Sequence, residues 1–242
     1  MIHKAKKGQT SYGESIGILM LDTYTPFIQG DVGNATSYDY PVRFKRIDGL
    51  SVERIFEHDL SFIEQMIDSA RELEREGVKA ITGDCGFMAI FQKEVKESVN
   101  IPVFLSSLLQ IPFIKLTLPV QAGIGVITAA ARSLTPGVFK KIGVDDNNLF
   151  IAGLEDLKNF KNAAIYEIGV LDSEKIREEV VGVAKNLTAR HPEVRSILLE
   201  CSMLPPYSKA VQRVTGLPVY DFLTMINYVH SSIVKKRFYD TM

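Results

Sequence analysis

Apolar positions along this chain fall into short continuous runs, and between the runs they recur at helical spacing. The run Ser15-Ile-Gly-Ile-Leu-Met20 reads as a buried strand, and Gly123-Ile-Gly-Val-Ile-Thr128 reads as a second. Ser51 is an N-cap candidate with Glu53 in the first turn. Ile55, Phe56, Phe62, Ile63, Met66, Ile67 and Ala70 then carry one helix to its stop at Gly77. Asp172 caps a helix toward Ala189, with Glu174, Glu178 and Glu179 early and Lys185 and Arg190 late, the order the helix dipole favours. Thr135-Pro136 opens a shorter helix ending near Gly143, and Phe222 to Phe238 reads as a long final helix.

One stretch occurs twice. Val78 to Val103 aligns without a gap on Val194 to Val219, at a constant offset of 116 (201 − 85). Identities fall at Val78 and Val194, Ile81 and Ile197, Cys85 and Cys201, Lys93 and Lys209, Val95 and Val211, Pro102 and Pro218, and Val103 and Val219. Each copy reads as a strand, a small loop carrying the cysteine, an amphipathic helix and a short strand opened by proline, which is a βαβ unit. The predicted fold is α/β: two pseudo-symmetric three-layer αβα domains with mostly parallel sheets and the active site between them. The predicted division is 1–105 plus 222–242 for one domain and 106–221 for the other.

Composition narrows the functions. With 28 basic and 29 acidic residues the net charge is −1, so nucleic acid is not an expected partner. The basic stretches Lys4 to Lys7 and Lys235 to Arg237 read as solvated ends. The N-terminal residues lack the apolar core of a secretory signal, which predicts a cytoplasmic protein. Pro112, Lys115, Pro119 and Gln121 interrupt the most apolar segment, Leu108 to Ala131, so no membrane span is expected there. His3, His58, His191 and His230 lack ligand spacing, and Gly123-Ile-Gly125 is no dinucleotide fingerprint. The expectation is no metal and no cofactor. The expected partner is a small carboxylate or carbonyl substrate, and a homo-oligomer is compatible with the pattern.

The duplication makes Cys85 and Cys201 equivalent. Functional loops of parallel sheets lie at the carboxyl ends of strands, so both thiols should face one cleft. Two facing thiols suit proton removal and return at a carbon next to a carboxylate or carbonyl, with enolate-like charge held by preorganised donors. Gly86, Phe87, Ser202 and Met203 follow the cysteines at expected helix N-termini, where backbone N–H groups can hold a carboxylate. The long loop after the first strand adds Asp22, Thr23 and Asn34, and its counterpart adds Thr128, Arg132 and Ser133. Asp84 and Glu200 precede the cysteines, and the alternation of side chains along a strand argues for supporting roles.

With these residues in place, the chain resembles the aspartate/glutamate racemase superfamily, which includes hydantoin and allantoin racemases and the arylmalonate decarboxylase and maleate isomerase branches. The resemblance covers nearly the whole chain and rests on Ile16 to Leu21, ITGDCGFMAIF around Cys85, GIGVIT, and SILLECSML around Cys201. It implies cofactor-independent proton transfer between the two cysteines, hence a racemase or epimerase, an isomerase acting on a stereocentre. A decarboxylase or cis–trans isomerase of the same superfamily, or a non-catalytic small-molecule binding protein, is the alternative. Amino-acid racemases of the superfamily usually follow the first cysteine with Asn-Thr, and glutamate racemases carry a histidine close after the second. Gly86-Phe87 and Ser202-Met203-Leu204-Pro205 depart from both, which argues against aspartate or glutamate as the substrate.

Overall fold

The computed structural model describes residues 2–5 and 7–239. Lys6, inside the basic stretch at Lys4 to Lys7, and the last three residues of the predicted first domain lie outside the described residues. The first half runs β1 (Ile16–Met20), β2 (Val42–Arg46), α1 (Val52–Phe56), α2 (Ile63–Glu76), β3 (Ala80–Gly83), α3 (Gln92–Ser98) and β4 (Val103–Phe104). After α4 (Ile111–Thr117) come β5 (Gly123–Thr128), α5 (Pro136–Lys141), β6 (Leu149–Gly153), α6 (Lys158–Ala164), α7 (Ser173–Arg190), β7 (Val194–Leu199), α8 (Ser208–Thr215), β8 (Val219–Tyr220) and α9 (Phe222–Ile233).

The strands form two four-stranded sheets, ordered β2-β1-β3-β4 and β6-β5-β7-β8, and every pairing is parallel. The sequence repeat is a repeat of register. Ile81 pairs with Val103 and Thr82 with Phe104, while Ile197 pairs with Val219 and Leu198 with Tyr220, each 116 residues later. The prolines that open β4 and β8 serve the same bond, since Ile81 N donates to the Pro102 carbonyl and Ile197 N to the Pro218 carbonyl, both at 2.9 Å. β1, β3 and β5 are buried along their whole length, as strands covered on both faces must be.

A glycine in each central strand sets the helix packing. A Cβ on Gly17 would sit 2.9 Å from Leu73 Cδ1 of α2, and one on Gly125 would sit 2.5 Å from Leu187 Cδ2 of α7. The core joins the halves: one buried cluster holds Leu19, Leu73 and Phe87 together with Val126, Phe139 and Leu198. A second fills the other half, and a third places Phe222, Met225 and Ile226 of α9 against Ile16, Ile18 and Ala80 of the first sheet.

Two element readings change. The single helix expected from Ser51 to Gly77 is two helices. Ser51 caps α1 through Arg54 N, but His58 adopts φ 58 and Asp59 caps a short 3-10 turn, Leu60–Phe62, before α2 begins. The final helix stops at Ile233, because Val234 turns extended ahead of the cationic Lys235 to Arg237. Asp172 caps α7 through Lys175 N, as its position predicts. Among the described residues no helix is long and apolar enough to cross a membrane.

Candidate active site

Cys85 ends the turn after β3 and begins a 3-10 helix, Gly86–Phe91. Cys201 follows β7 in the same way, and the backbone reproduces the equivalence, with Met88 N donating to the Cys85 carbonyl at 3.0 Å and Leu204 N to the Cys201 carbonyl at 3.1 Å. Both thiols are free and line one narrow pocket between the halves. Leu21, Thr23, Thr25, Phe27, Val52, Phe56 and Asp84 complete it from the first half, and Ala129, Ala164, Ser202 and Met203 from the second. The space open to water centres is about 40 Å³, enough for a few waters at roughly 10–15 Å³ each. Among the described residues no lysine, arginine or histidine lines it.

The electrostatics are those of crowded buried acids. Burial pushes the Cys85 thiol well above its ordinary range, and Glu200, Cys201 and Asp84 push it further, while the N–H of Phe87 opposes them. Burial and Glu200 do the same to Cys201, opposed by the N–H of Met203 and reinforced by Asp31 and Asp84. The helix-start N–H groups therefore act on the sulfurs, but desolvation outweighs them. Burial raises Asp84 to about 7 against the N–H of Leu21, which donates to its Oδ1 at 3.0 Å. Burial raises Glu200 to about 7 against the Thr128 hydroxyl, which donates to Oε2 at 2.8 Å. Asp31 is also buried and raised well above the usual carboxylate range, although the N–H of Gly33 donates to it at 2.8 Å.

The loop after β1 closes over this pocket. Glu167 accepts hydrogen bonds from the Thr23 hydroxyl and, at 2.8 Å, from Tyr24 N, and Thr25 Oγ1 donates to the Ala163 carbonyl at 3.1 Å. These contacts fasten a loop of the first half to the end of α6 and the segment just beyond it. Gly33 seats the Phe27 ring, since a Cβ there would fall 2.4 Å from it.

Of the residues singled out by sequence, Cys85, Cys201, Thr23, Ser202 and Met203 line the pocket. Gly86 and Phe87 are buried just behind Cys85, with the Phe87 ring edge-on to Phe56 at 5.1 Å, and Thr128 lies under Glu200. The remaining four lie neither in the pocket lining nor directly behind it. Asp22 accepts from Gly49 N at 2.9 Å and pairs with Arg46, and Asn34 caps a 3-10 turn and donates to the Phe27 carbonyl. Arg132 is exposed and pairs with Asp156, and Ser133 sits in the turn beyond β5. Thr25, Phe27, Phe56 and Asp84 also line the pocket, and Asp31 and Glu200 act on its thiols, although loop composition singles out none of them. The acidic residue before each cysteine was the available signal for Asp84 and Glu200.

No family model matches the chain. Among curated proteins, it is 37% identical over 222 residues to a dimethylsulfoniopropionate lyase of Durusdinium sp. clade D, covering 88% of this chain and 73% of that protein. The chain belongs to this lyase family. It is 34% identical to dimethylsulfoniopropionate lyase 6 of Emiliania huxleyi (strain CCMP1516) across 91% of this chain but only 60% of that protein's length. Among solved structures, unliganded arylmalonate decarboxylase superposes with a TM-score of 0.57 at 13% identity, covering 94% of this chain and 96% of that one. Glutamate racemase of Bacillus anthracis gives 0.57 at 14%, covering 92% and 85%. Those two likenesses establish the fold, a two-domain α/β architecture. The expectation of an isomerase is overturned: the relatives of substantial identity are named as lyases, and the racemase names belong to neighbours that share the fold alone.

Proposed function

We propose that this chain is a lyase that cleaves a carbon–sulfur bond in a small sulfonium carboxylate, with dimethylsulfoniopropionate as the substrate to test first. The observation that carries the reading is the 37% identity, over 88% of the chain, to a protein named for that activity. The pocket chemistry supports it. Its two thiols and the buried Asp84 are acids, no basic side chain among the described residues lines it, and the rings of Phe27 and Phe56 can face a sulfonium centre as aromatic rings face quaternary ammonium groups. A sulfonium centre also favours the ionised form of the acids nearest it, which offsets part of the burial that otherwise keeps the thiols protonated.

The reaction is a β-elimination. A base takes a proton from the carbon next to the carboxylate, the electron pair forms the carbon–carbon double bond, and the bond to sulfur breaks with its pair leaving on a neutral sulfide. The products are acrylate, dimethyl sulfide and one proton on the base. General base catalysis supplies about 10² to 10⁴ in rate. The remainder falls to donors that hold the carboxylate as it gains enolate character, for which the pocket offers the Ser202 hydroxyl and the N–H groups beyond each cysteine. A neutral sulfide needs no acid to leave, so one thiol suffices as the base.

The test is dimethyl sulfide in the headspace and acrylate in solution after incubation with dimethylsulfoniopropionate. Both should form in equal amounts, and Cys85→Ser with Cys201→Ser should remove them. Release undiminished in that double variant, or no sulfide above the blank from the wild-type chain, would sink the reading.

A further inference from the structure

Each cysteine is preceded by an acid, and the halves use these acids differently. Asp84 stays within its own half, accepting from Leu21 N. Glu200, one methylene longer, gives Oε2 to the Thr128 hydroxyl and leaves Oε1 without any hydrogen-bond partner, although the residue is 0% exposed. A buried unpaired carboxyl oxygen is costly and calls for a reason.

That oxygen lies against Gly86, the residue after Cys85. A Cβ on Gly86 would sit 1.8 Å from Glu200 Oε1 and 2.7 Å from the Glu200 carbonyl oxygen, so the position must be glycine while Glu200 is there. The counterpart of Gly86 in the second half, Ser202, carries a side chain. Ser107 Oγ donates to the Glu200 carbonyl at 3.0 Å and fixes the backbone of that contact. Glu200 thus reaches across the pseudo-two-fold axis onto the Cys85–Gly86 backbone, whereas Asp84 is held by Leu21 N within its own half.

We propose that Glu200 is a positioning residue that acts through Cys85: its free oxygen, which makes no hydrogen bond to the thiol before substrate binds, takes the thiol proton as the substrate's sulfonium group enters, leaving Cys85 as the thiolate base. The assignment rests on the proposed elimination. In the first transfer the S–H bond breaks and an O–H bond forms on Glu200. The thiolate then takes the proton next to the substrate carboxylate, and the sulfide departs with the electron pair of the broken carbon–sulfur bond. The one proton released per turnover leaves from Glu200. The groups that act on the two thiols are Asp31, Asp84, Glu200 and the partner thiol, from the β1 loop and both strand ends, and all are acids. A sulfonium group close to them therefore favours ionisation of the nearest of these acids.

Glu200→Gln separates this role from a structural one by two readouts. The first is the pH dependence of iodoacetamide alkylation at Cys85, followed by peptide mass spectrometry. Removing a neighbouring negative charge should lower that midpoint by about one pH unit. The second is the kcat and KM of dimethyl sulfide release against pH. Despite the more acidic thiol, kcat should fall by about 10²-fold, KM should change little, and the limb rising near pH 7 should vanish. Glu200→Asp, which keeps the carboxyl, should recover the limb at reduced kcat. A glutamine variant as fast as wild type, or an unmoved alkylation midpoint, overturns the proposal. Thr128→Val serves if the glutamine variant fails to fold: losing the hydroxyl donor should move the limb to higher pH, and a stationary limb counts against Glu200. If the wild-type chain releases no dimethyl sulfide, the elimination fails by itself. Alkylation then judges Glu200 alone, a shifted midpoint upholding its link to Cys85 and an unmoved one removing it.

Discussion

Burying Glu200 next to two thiols should leave a signature in the pH dependence of folding. Its carboxyl is raised from 4.5 to about 7, with burial as the leading cause. Between those values the unfolded chain has released this proton and the native protein has kept it, so native stability falls as pH rises and levels off above about 7. A rise of about 2.5 pH units, at about 1.4 kcal/mol each, makes the ionised native form about 3.5 kcal/mol less stable than an unperturbed carboxylate would be. Glu200→Gln removes the titration but introduces an amide N–H₂ that must find a partner beside Gly86, a penalty independent of pH. The quantity to measure is therefore a double difference: unfolding free energy from urea titration, variant minus wild type, at pH 8 and again at pH 4.5. The glutamine variant should gain on wild type by about 2–3 kcal/mol between the lower and the higher pH, because at pH 4.5 the burial penalty is largely absent. Asp84 titrates in both proteins and cancels to first order. A difference that is the same at both pH values within about 0.5 kcal/mol would show that Glu200 ionises normally in the folded chain, and the electrostatic account of the site would go with it.

Other consequences follow from packing and closure. Glu167→Ala removes the acceptor for the Thr23 hydroxyl and Tyr24 N, so the loop over the pocket should open more readily. Losing two hydrogen bonds, at about 1 kcal/mol each, should speed iodoacetamide modification of Cys85 by about 10-fold or more and raise KM more than it lowers kcat. Equal alkylation rates would mean that these bonds do not hold the pocket shut. In the second half, Gly125→Ala places a Cβ 2.5 Å from Leu187 Cδ2 and 2.9 Å from Ile197 Cδ1 and should cost about 1–3 kcal/mol in urea unfolding. Gly182→Ala in α7, with nothing within 4 Å of the new Cβ, should instead stabilise by about 0.5–1 kcal/mol, and the opposite ranking of the two variants would contradict the helix packing described.

The architecture was legible because it is written twice. The constant offset of 116 residues located both βαβ units, and the paired registers of β3 with β4 and β7 with β8 preserve it residue for residue. The cysteines were legible for the same reason. What the sequence hid is tertiary. Alternation along a strand suggested that Asp84 and Glu200 point away from their cysteines, but β3 ends at Gly83 and β7 at Leu199, so both acids lie beyond the strand, where a period of two no longer applies. Asp31 belongs to an irregular loop whose fold depends on bonds such as Ser37 Oγ to the Asp31 carbonyl and Val32 N to the Ser202 carbonyl, and no periodicity marks it as buried. Asp22 and Arg132 looked suited to a ligand because they are charged and sit in loops, yet each is taken up by a local partner. The helix from Ser51 to Gly77 keeps its apolar spacing across His58, whose left-handed φ breaks the backbone without disturbing the pattern.

The departures from symmetry matter more for direction than the symmetry does. Inverting a stereocentre needs a base on one face of a carbon and an acid on the other, with roles that exchange, and two equivalent thiols serve it. An elimination takes one proton and returns none to carbon, so equivalence brings no advantage. This site is unequal where the chemistry would be done. Gly86 stands opposite Ser202, a carboxyl tied within its own half stands opposite one that crosses over, and the pocket's lid comes from the first half alone, latched to the second through Glu167. If Cys85 is the base, Cys85→Ser should abolish turnover while Cys201→Ser keeps a measurable fraction of it. Equal losses in the two single variants would restore the symmetric assignment and remove the reason for Glu200 to favour one thiol.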